Sequence, residues 1–504
     1  MQLVQSVISW FIGKRLREID KFVENPYEVQ YKLLNDLLQS CKNTDYGKTY
    51  KFGEIQSYNQ YIQQVPIGDY EHFKPYIERL LQGEQQLLWH SNIKWLAKSS
   101  GTTSDKSKFI PVSFEAMESC HYKAGRDVLA LYGKMNPQTR IYAGKGIILG
   151  GSHQVSHFSN EIQFGDLSAV LIQNMTMLGK FLSSLNTDIA LMSDWEAKID
   201  KIAQRALTQN ITSISGVPTW TLVLIQKIFE ITGKNNLTDI FPNLELYIHG
   251  GVSFTPYRAQ FKELIYSPHM NYIETYNASE GFFAIQDQQD SEDMLLMLDY
   301  DIFYEFIPFE DLSVENPRVL PLEGVEVGKN YAMLITTNSG MWRYLLGDTV
   351  RFTNINPHKI VISGRTKHFI NAFGEEVVVD NADQALAAAC VKTNAEVIDY
   401  TVAPVYMQFQ GQGCHQWLIE FSRKPESITH FAEILDQSLQ QINSDYEAKR
   451  YKDMALTQAQ VTAVPEGTFY RWLKAKNKLG GQNKVPRLSN DRKIVEEILA
   501  MLEK

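Results

Sequence analysis

The segment Ser99-Ser100-Gly101-Thr102-Thr103-Ser104-Asp105-Lys106-Ser107-Lys108 combines hydroxyl side chains, one glycine and two lysines. Such a segment can wrap a polyphosphate. Backbone N–H groups and hydroxyls point inward, and lysine supplies positive charge. The apolar run 93–97 before it predicts a strand, and the pattern from about Ser113 predicts a helix. The expected setting is therefore strand, phosphate loop, helix. The segment lacks the Gly-x-x-x-x-Gly-Lys-Ser/Thr spacing of the common P-loop, so it points to a nucleotide enzyme of another kind. The competing reading is a polar surface loop, since Ser/Thr/Gly clusters are ordinary loop chemistry.

Five further clusters can carry chemistry. In Tyr272-Ile273-Glu274-Thr275-Tyr276-Asn277-Ala278-Ser279-Glu280-Gly281, a strand ending near Thr275 places Ser279 and Glu280 at its carboxyl end. Ligands bind at that edge in open α/β sheets, and a carboxylate there can hold Mg²⁺ against a polyphosphate. Leu246–Val252 is a strand running into Gly250-Gly251, where bare backbone permits close approach by a flat ring or simply makes a tight turn. In Ser339–Thr349, Asp348 is expected just before a strand, where a carboxylate suits a ribose diol. The fourth is Ser363-Gly364-Arg365-Thr366-Lys367, and the last is Leu479-Gly480-Gly481-Gln482-Asn483-Lys484-Val485-Pro486-Arg487. Taken alone, the last reads as a solvated basic loop.

These clusters need elements to hold them. The chain has 504 residues, too many for one ordinary core, so two or three domains are expected. Residues 1–90 read as mainly helical, opening with an amphipathic helix that carries Leu3, Val4, Val7, Ile8, Phe11 and Ile12. Strands are predicted at 146–149, 211–215, 244–249 and 272–275, and helices at 113–133, 196–209, 218–232 and 255–266. That alternation predicts an α/β domain with a largely parallel sheet, extended by strand-like runs across 294–354. A boundary is expected near 363–367, followed by a fresh series at 380–393, 396–403, 416–421, 427–443, 459–464 and 490–503.

Composition excludes several classes. The net charge of −9 argues against a general nucleic-acid binder. The four cysteines are far apart, with no CxxC pair, which fits a reducing, cytoplasmic setting better than a disulfide framework. No apolar run approaches the ~20 residues of a membrane span, so no membrane insertion is expected. His153 and His157 stand four apart, but Gly150-Gly151-Ser152 argues for a loop and there is no HExxH glutamate, so no metal is assigned there.

In their order, the six clusters resemble the adenylate-forming superfamily of acyl-CoA synthetases, peptide-synthetase adenylation domains and luciferases. Within it they are most similar to the Gretchen Hagen family of acyl acid amido synthetases. The resemblance is carried by Ser99–Lys108 with Phe109-Ile110-Pro111, by Tyr276–Gly281, by Tyr344-Leu345-Leu346-Gly347-Asp348, and by Gln482–Arg487. Asp45-Tyr46-Gly47-Lys48 and Val65–Tyr70 belong to the same pattern. The chain is shorter than the plant pattern and looks more like a bacterial member.

The resemblance implies a large α/β N-terminal adenylate-forming domain over 1–365, with mixed sheets flanked by helices. It also implies a small, mobile α+β C-terminal lid domain over 366–504. Ser99, Ser100, Gly101, Thr102, Thr103, Ser104 and Lys108 would surround the ATP phosphates. Gly250, Gly251 and Tyr276 would flank adenine beside Ser279, Asp348 would bind the ribose with Arg365 assisting, and Glu280 would hold Mg²⁺. Lys484 would contact the substrate carboxylate and the α-phosphate, and Lys367 would be the hinge. Tyr122, Arg126, Val217 and Trp220 would line the acyl pocket. The implied reaction adenylates a carboxylic acid and passes the acyl group to an amino acid. The alternatives are transfer to a thiol such as coenzyme A, or a nucleotide-binding protein that has lost catalysis. Substrate identity and oligomeric state are left open.

Overall fold

The computed structural model describes every residue except 1, 101–106, 151–155, 159–161, 176–178, 180–182, 185, 186, 191, 193, 253, 255, 256, 313, 366–368, 408–411, 477–484 and 504. Among the described residues, eleven strands form one large sheet. Its first four strands, Lys145–Ile148, Ile211–Ser215, Leu246–Gly250 and Asn271–Ala278, run parallel. Helices fill the connections between them, as parallel strands require. Pro218–Thr232 shows why these helices are legible: Pro218 opens it, and Gly233 closes it at a φ of 67°. The next, Arg258–Leu264, is shorter than the expected 255–266.

The sheet changes direction at one place. Ala278 pairs with Gly281, so Ser279-Glu280 is a two-residue turn. A connection that short permits only an antiparallel return. Every later strand joins antiparallel: Gly281–Ile285, Met294–Leu296, His358–Arg365, Tyr344–Ile355, Asn330–Thr337, Ile302–Pro308 and Leu320–Pro321. The expected largely parallel sheet is thus corrected. The strand-rich stretch after 294 is the antiparallel half of the same sheet, and it outweighs the parallel half.

A second sheet contains Ser107–Val112, Trp95–Ser100, Gln163–Gly165 and Ser156–His157 in that order. Trp95–Ser100 pairs antiparallel with Ser107–Val112, so the Ser/Thr/Gly segment joins two strands and the expected strand-to-helix setting is corrected. Ile110, Pro111 and Val112 on this strand are all buried. The helix begins only afterwards, capped by the Ser113 side chain. The predicted single helix over 113–133 is also corrected: Phe114–Ala116 and Lys123–Met135 flank a wider π-helical turn at Met117–Tyr122.

The first helix, Gln2–Glu24, packs through Ile19 and Phe22, and Arg15 bridges Asp127 at 2.7 Å and Asp299. No helix among the described residues is long and apolar enough to cross a membrane. After Arg365 the chain leaves the large sheet. A C-terminal domain follows, in which Glu396–Val405, Cys414–Arg423 and Gln460–Val464 form a small sheet beside the helices Val379–Thr393 and Ile428–Ile442. One continuous apolar cluster runs from Ile214 and Trp220 on the parallel strands and their helices to Phe373 and Trp417. The C-terminal domain therefore sits on the parallel edge of the large sheet.

Candidate functional site

A cavity of about 1710 Å³ lies between the parallel edge of the large sheet, the second sheet and the C-terminal domain. Strand ends and turns supply most of its polar groups. Ser99 and Lys108, register partners across the second sheet, reach it from one side. The Lys108 ammonium stands 5.7 Å from the ring centroid of Tyr70, and the Tyr70 hydroxyl accepts from the Phe109 N–H at 2.9 Å.

Gly250 and Gly251 also line the cavity. A Cβ at Gly250 would lie 2.4 Å from the Thr275 carbonyl oxygen, so close strand packing excludes any side chain there. Gly251 has a φ of 81°, which favours glycine, and its carbonyl accepts from Asn371 Nδ2 at 3.0 Å.

Asp348 was expected just before a strand, and this is corrected. It lies inside Tyr344–Ile355, on a bulge. Leu345 pairs with Leu334 and Thr349 with Ala332, so Leu346, Gly347 and Asp348 stand opposite Met333. Gly347 takes a φ of 94°. The bulge turns Asp348 toward the cavity, where its Oδ2 accepts a 2.8 Å hydrogen bond from the Tyr276 hydroxyl. Across the sheet its register partner is Arg365.

Ser279 and Glu280 reach the cavity from the turn where the large sheet reverses. The Glu280 carboxylate hydrogen-bonds with the buried Tyr344 hydroxyl. Burial raises the Glu280 pKa, Lys108 opposes that rise, and Glu376 and Asp348 add to it. A carboxyl raised in the folded state costs stability when it ionises, and the cost grows as pH rises through the folded value. Glu280→Gln therefore unfolds at a higher temperature than the parent at pH 8 without nucleotide or metal. Paired thermal melts of the two proteins check this.

Tyr122, Arg126, Val217 and Trp220 line the rest of the cavity. The Tyr122 hydroxyl donates to the Leu171 carbonyl at 2.8 Å. Arg126 is exposed, and its guanidinium reaches the Glu118 carbonyl at 3.4 Å. Trp220 is buried and faces Lys449, whose ammonium lies 4.5 Å from the ring centroid. Gly101, Thr102, Thr103, Ser104, Lys367, Lys484 and His153 lie outside the described residues, and Ser100, His157 and Arg365 are described by backbone alone. Sequence reasoning missed Tyr344, Asn371 and Lys449. Tyr344 stands within a quoted motif, but Lys449 sits in Ser444–Arg450, a charge-dense helix that reads as a solvated face.

Three family profiles align with the chain end to end. The GH3 family N-terminal domain matches residues 15–270, the central domain 295–365, and the C-terminal domain 380–493. The chain belongs to the GH3 family. It is 23% identical to the indole-3-acetic acid-amido synthetase GH3.3 of Arabidopsis thaliana, across 96% of this chain and 93% of that protein. It is also 23% identical to the jasmonoyl–L-amino acid synthetase JAR6 of Nicotiana attenuata, across 94% and 93%. The fold matches the GH3.15 acyl acid amido synthetase with a TM-score of 0.62, at 18% identity and covering 97% and 95% of the two chains. It matches a 2-hydroxyisobutyryl-CoA ligase bound to 2-HIB-AMP and CoA with a TM-score of 0.56, at 13% identity over 94% and 92%. GH3 is the Gretchen Hagen family that the ordered clusters resemble.

Proposed function

We propose that this GH3 protein is an ATP-dependent ligase that adenylates a small carboxylic acid and transfers the acyl group to an amino acid. One observation carries the site assignment. Four segments distant in sequence, represented by Ser99 with Lys108, by Gly250, by Tyr276 with Glu280, and by Asp348, line a single cavity together with Trp220.

A carboxylate oxygen attacks the α-phosphorus of ATP, and the bond to pyrophosphate breaks. Both reactants are anions, so neutralisation and alignment supply most of the catalysis. Ser99 to Ser104 and Lys108 hold the phosphates, with Lys484 joining the α-phosphate and the acid. Gly250 and Gly251 give adenine a bare edge. Asp348, held by Tyr276, takes the ribose hydroxyls, and Arg365 assists. Glu280 fits Mg²⁺, which commonly takes one or two carboxylates and completes its shell with substrate phosphates and water. When bound, the ion neutralises phosphate charge. An amine then attacks the acyl carbonyl, the C–N bond forms, and AMP leaves. We assign 1–365 to the N-terminal catalytic domain and 366–504 to a mobile lid hinged at Lys367, resetting the site between the steps. Tyr122, Arg126, Val217 and Trp220 shape the acid pocket. The free cysteines fit a cytoplasmic setting.

The test supplies ATP, Mg²⁺, coenzyme A, all twenty amino acids and an acid panel. The panel includes indole-3-acetic acid, jasmonic acid and 2,4-DB, the ligand of one GH3.15 structure. The expected products are AMP, pyrophosphate and an amide detected by mass spectrometry. ADP formation, or a thioester with coenzyme A and no amide, contradicts the reading.

A further inference from the structure

Lys449 lines this cavity, and the motifs that liken the chain to its family do not include it. It lies on the helix Ser444–Arg450, which packs against the strand Trp95–Ser100 leading into the phosphate segment. Its ammonium covers the face of Trp220. A Cβ built on Gly374 would stand 3.2 Å from Lys449 Nζ and 3.8 Å from Val217 Cγ1, so the amine lies beside the acyl-pocket wall. Acyl wall and phosphate strand meet here. On the proposed function, this junction is where the carbonyl of the acyl-adenylate must sit.

We propose that Lys449 takes the proton from the incoming amino group during amide formation. Three carboxylates act on it electrostatically: Asp445 from its own helix, Glu375 from the turn before Val377, and Asp166 from the start of Leu167–Gln173. Behind them, His415 Nε2 bonds Glu375 at 2.7 Å and Lys198 acts on Asp166. A pocket with more carboxylates than cations attracts an ammonium and repels a carboxylate, so it favours the amine end of the acceptor. Burial pulls Lys449 down to about 8 against the upward pull of those carboxylates. A fraction of the lysine is then neutral under working conditions, and an ammonium arriving beside it increases that fraction.

The step balances. The acceptor ammonium gives one proton to the Nζ lone pair of Lys449. The freed amine attacks the carbonyl carbon and the C–N bond forms. The C–O bond to AMP breaks, and its electron pair leaves with AMP. The surplus proton on the amide nitrogen goes to water, and Lys449 later releases its own proton to solvent.

This inference rests on adenylate formation in the same cavity, so the two half-reactions are read separately. The panel acid with the fastest pyrophosphate exchange is used to make the acyl-adenylate, and transfer is followed in a single turnover. In the parent, transfer to amino acids rises with pH through about 8. In Lys449→Met the rise follows the acceptor amine's own, higher ionisation and transfer at pH 8 falls about a hundredfold, while exchange stays within about threefold. Hydroxylamine, already unprotonated at neutral pH, is acylated by both proteins at similar rates. Lys449→Arg does not restore transfer to amino acids, because its guanidinium stays protonated. A parent profile that rises only with the acceptor amine's ionisation overturns the proposal, as does rescue by arginine, or exchange and transfer falling together. Loss of exchange in the parent itself would instead remove the underlying reading.

Discussion

Lys484→Ala lowers acid-dependent pyrophosphate exchange by about two to three orders of magnitude, while ATP still binds within a few-fold of the parent. The argument begins with charge. In the adenylation transition state, the attacking carboxylate and the phosphate both press negative charge onto the α-phosphorus. One positioned cation there contributes about 3–4 kcal/mol, whereas on the proposed function ground-state ATP would be held by Lys108 and the hydroxyl segment as well. The residues after Lys484 are anchored. Val485 is buried, and the Val402 N–H donates to the Arg487 carbonyl at 2.8 Å. The Arg487 guanidinium covers Tyr400 at 4.4 Å and pairs with Asp399. Titration calorimetry with ATP, beside exchange kinetics, separates binding from chemistry. Unchanged exchange removes Lys484 from the mechanism.

Arg343→Ala costs about 3–5 kcal/mol of stability, because it breaks a buried ion pair on one side only. The guanidinium and the Glu305 carboxylate are 4% and 1% exposed and lie 3.0 Å apart. Arg343 also donates to the carbonyls of Val65 at 2.8 Å and Ile62 at 3.2 Å, and the Tyr58 hydroxyl donates to Glu305 at 3.0 Å. Removing the arginine leaves a buried carboxylate with one neutral donor and frees two carbonyls. Replacing both partners with apolar residues of similar volume should cost less than the single change. Urea unfolding of the parent, the single and the double variant checks this. A loss below about 1 kcal/mol for Arg343→Ala would place the pair with exposed, weak ones.

Arg343 and Asp348 stand five residues apart in one cluster, yet one holds the helical N-terminal layer and the other faces the cavity. Sequence spacing could not separate those roles, because burial and direction arise from the strand and its bulge. Gly347 did carry a signal, since glycine inside a strand commonly marks a bulge. The helix Pro218–Thr232 and the strand Ile211–Ser215 match the expected bounds, because apolar periodicity and terminal residues both act locally. Sheet direction was harder to read. It depends on the two-residue turn at Ser279-Glu280, which was read for its carboxylate and not for its length. The hydroxyl-rich segment stood out by composition, while its setting depended on Ser107–Val112 pairing back onto Trp95–Ser100. Lys449 left no signal, because only the packed domains bury it.

The most direct test of the account labels both carboxyl oxygens of the acid with ¹⁸O and follows one turnover with ATP and an amino acid. Attack at the α-phosphorus predicts one ¹⁸O atom in the phosphate of AMP and the other in the amide. Label recovered in inorganic phosphate, with ADP as the nucleotide product, would contradict it.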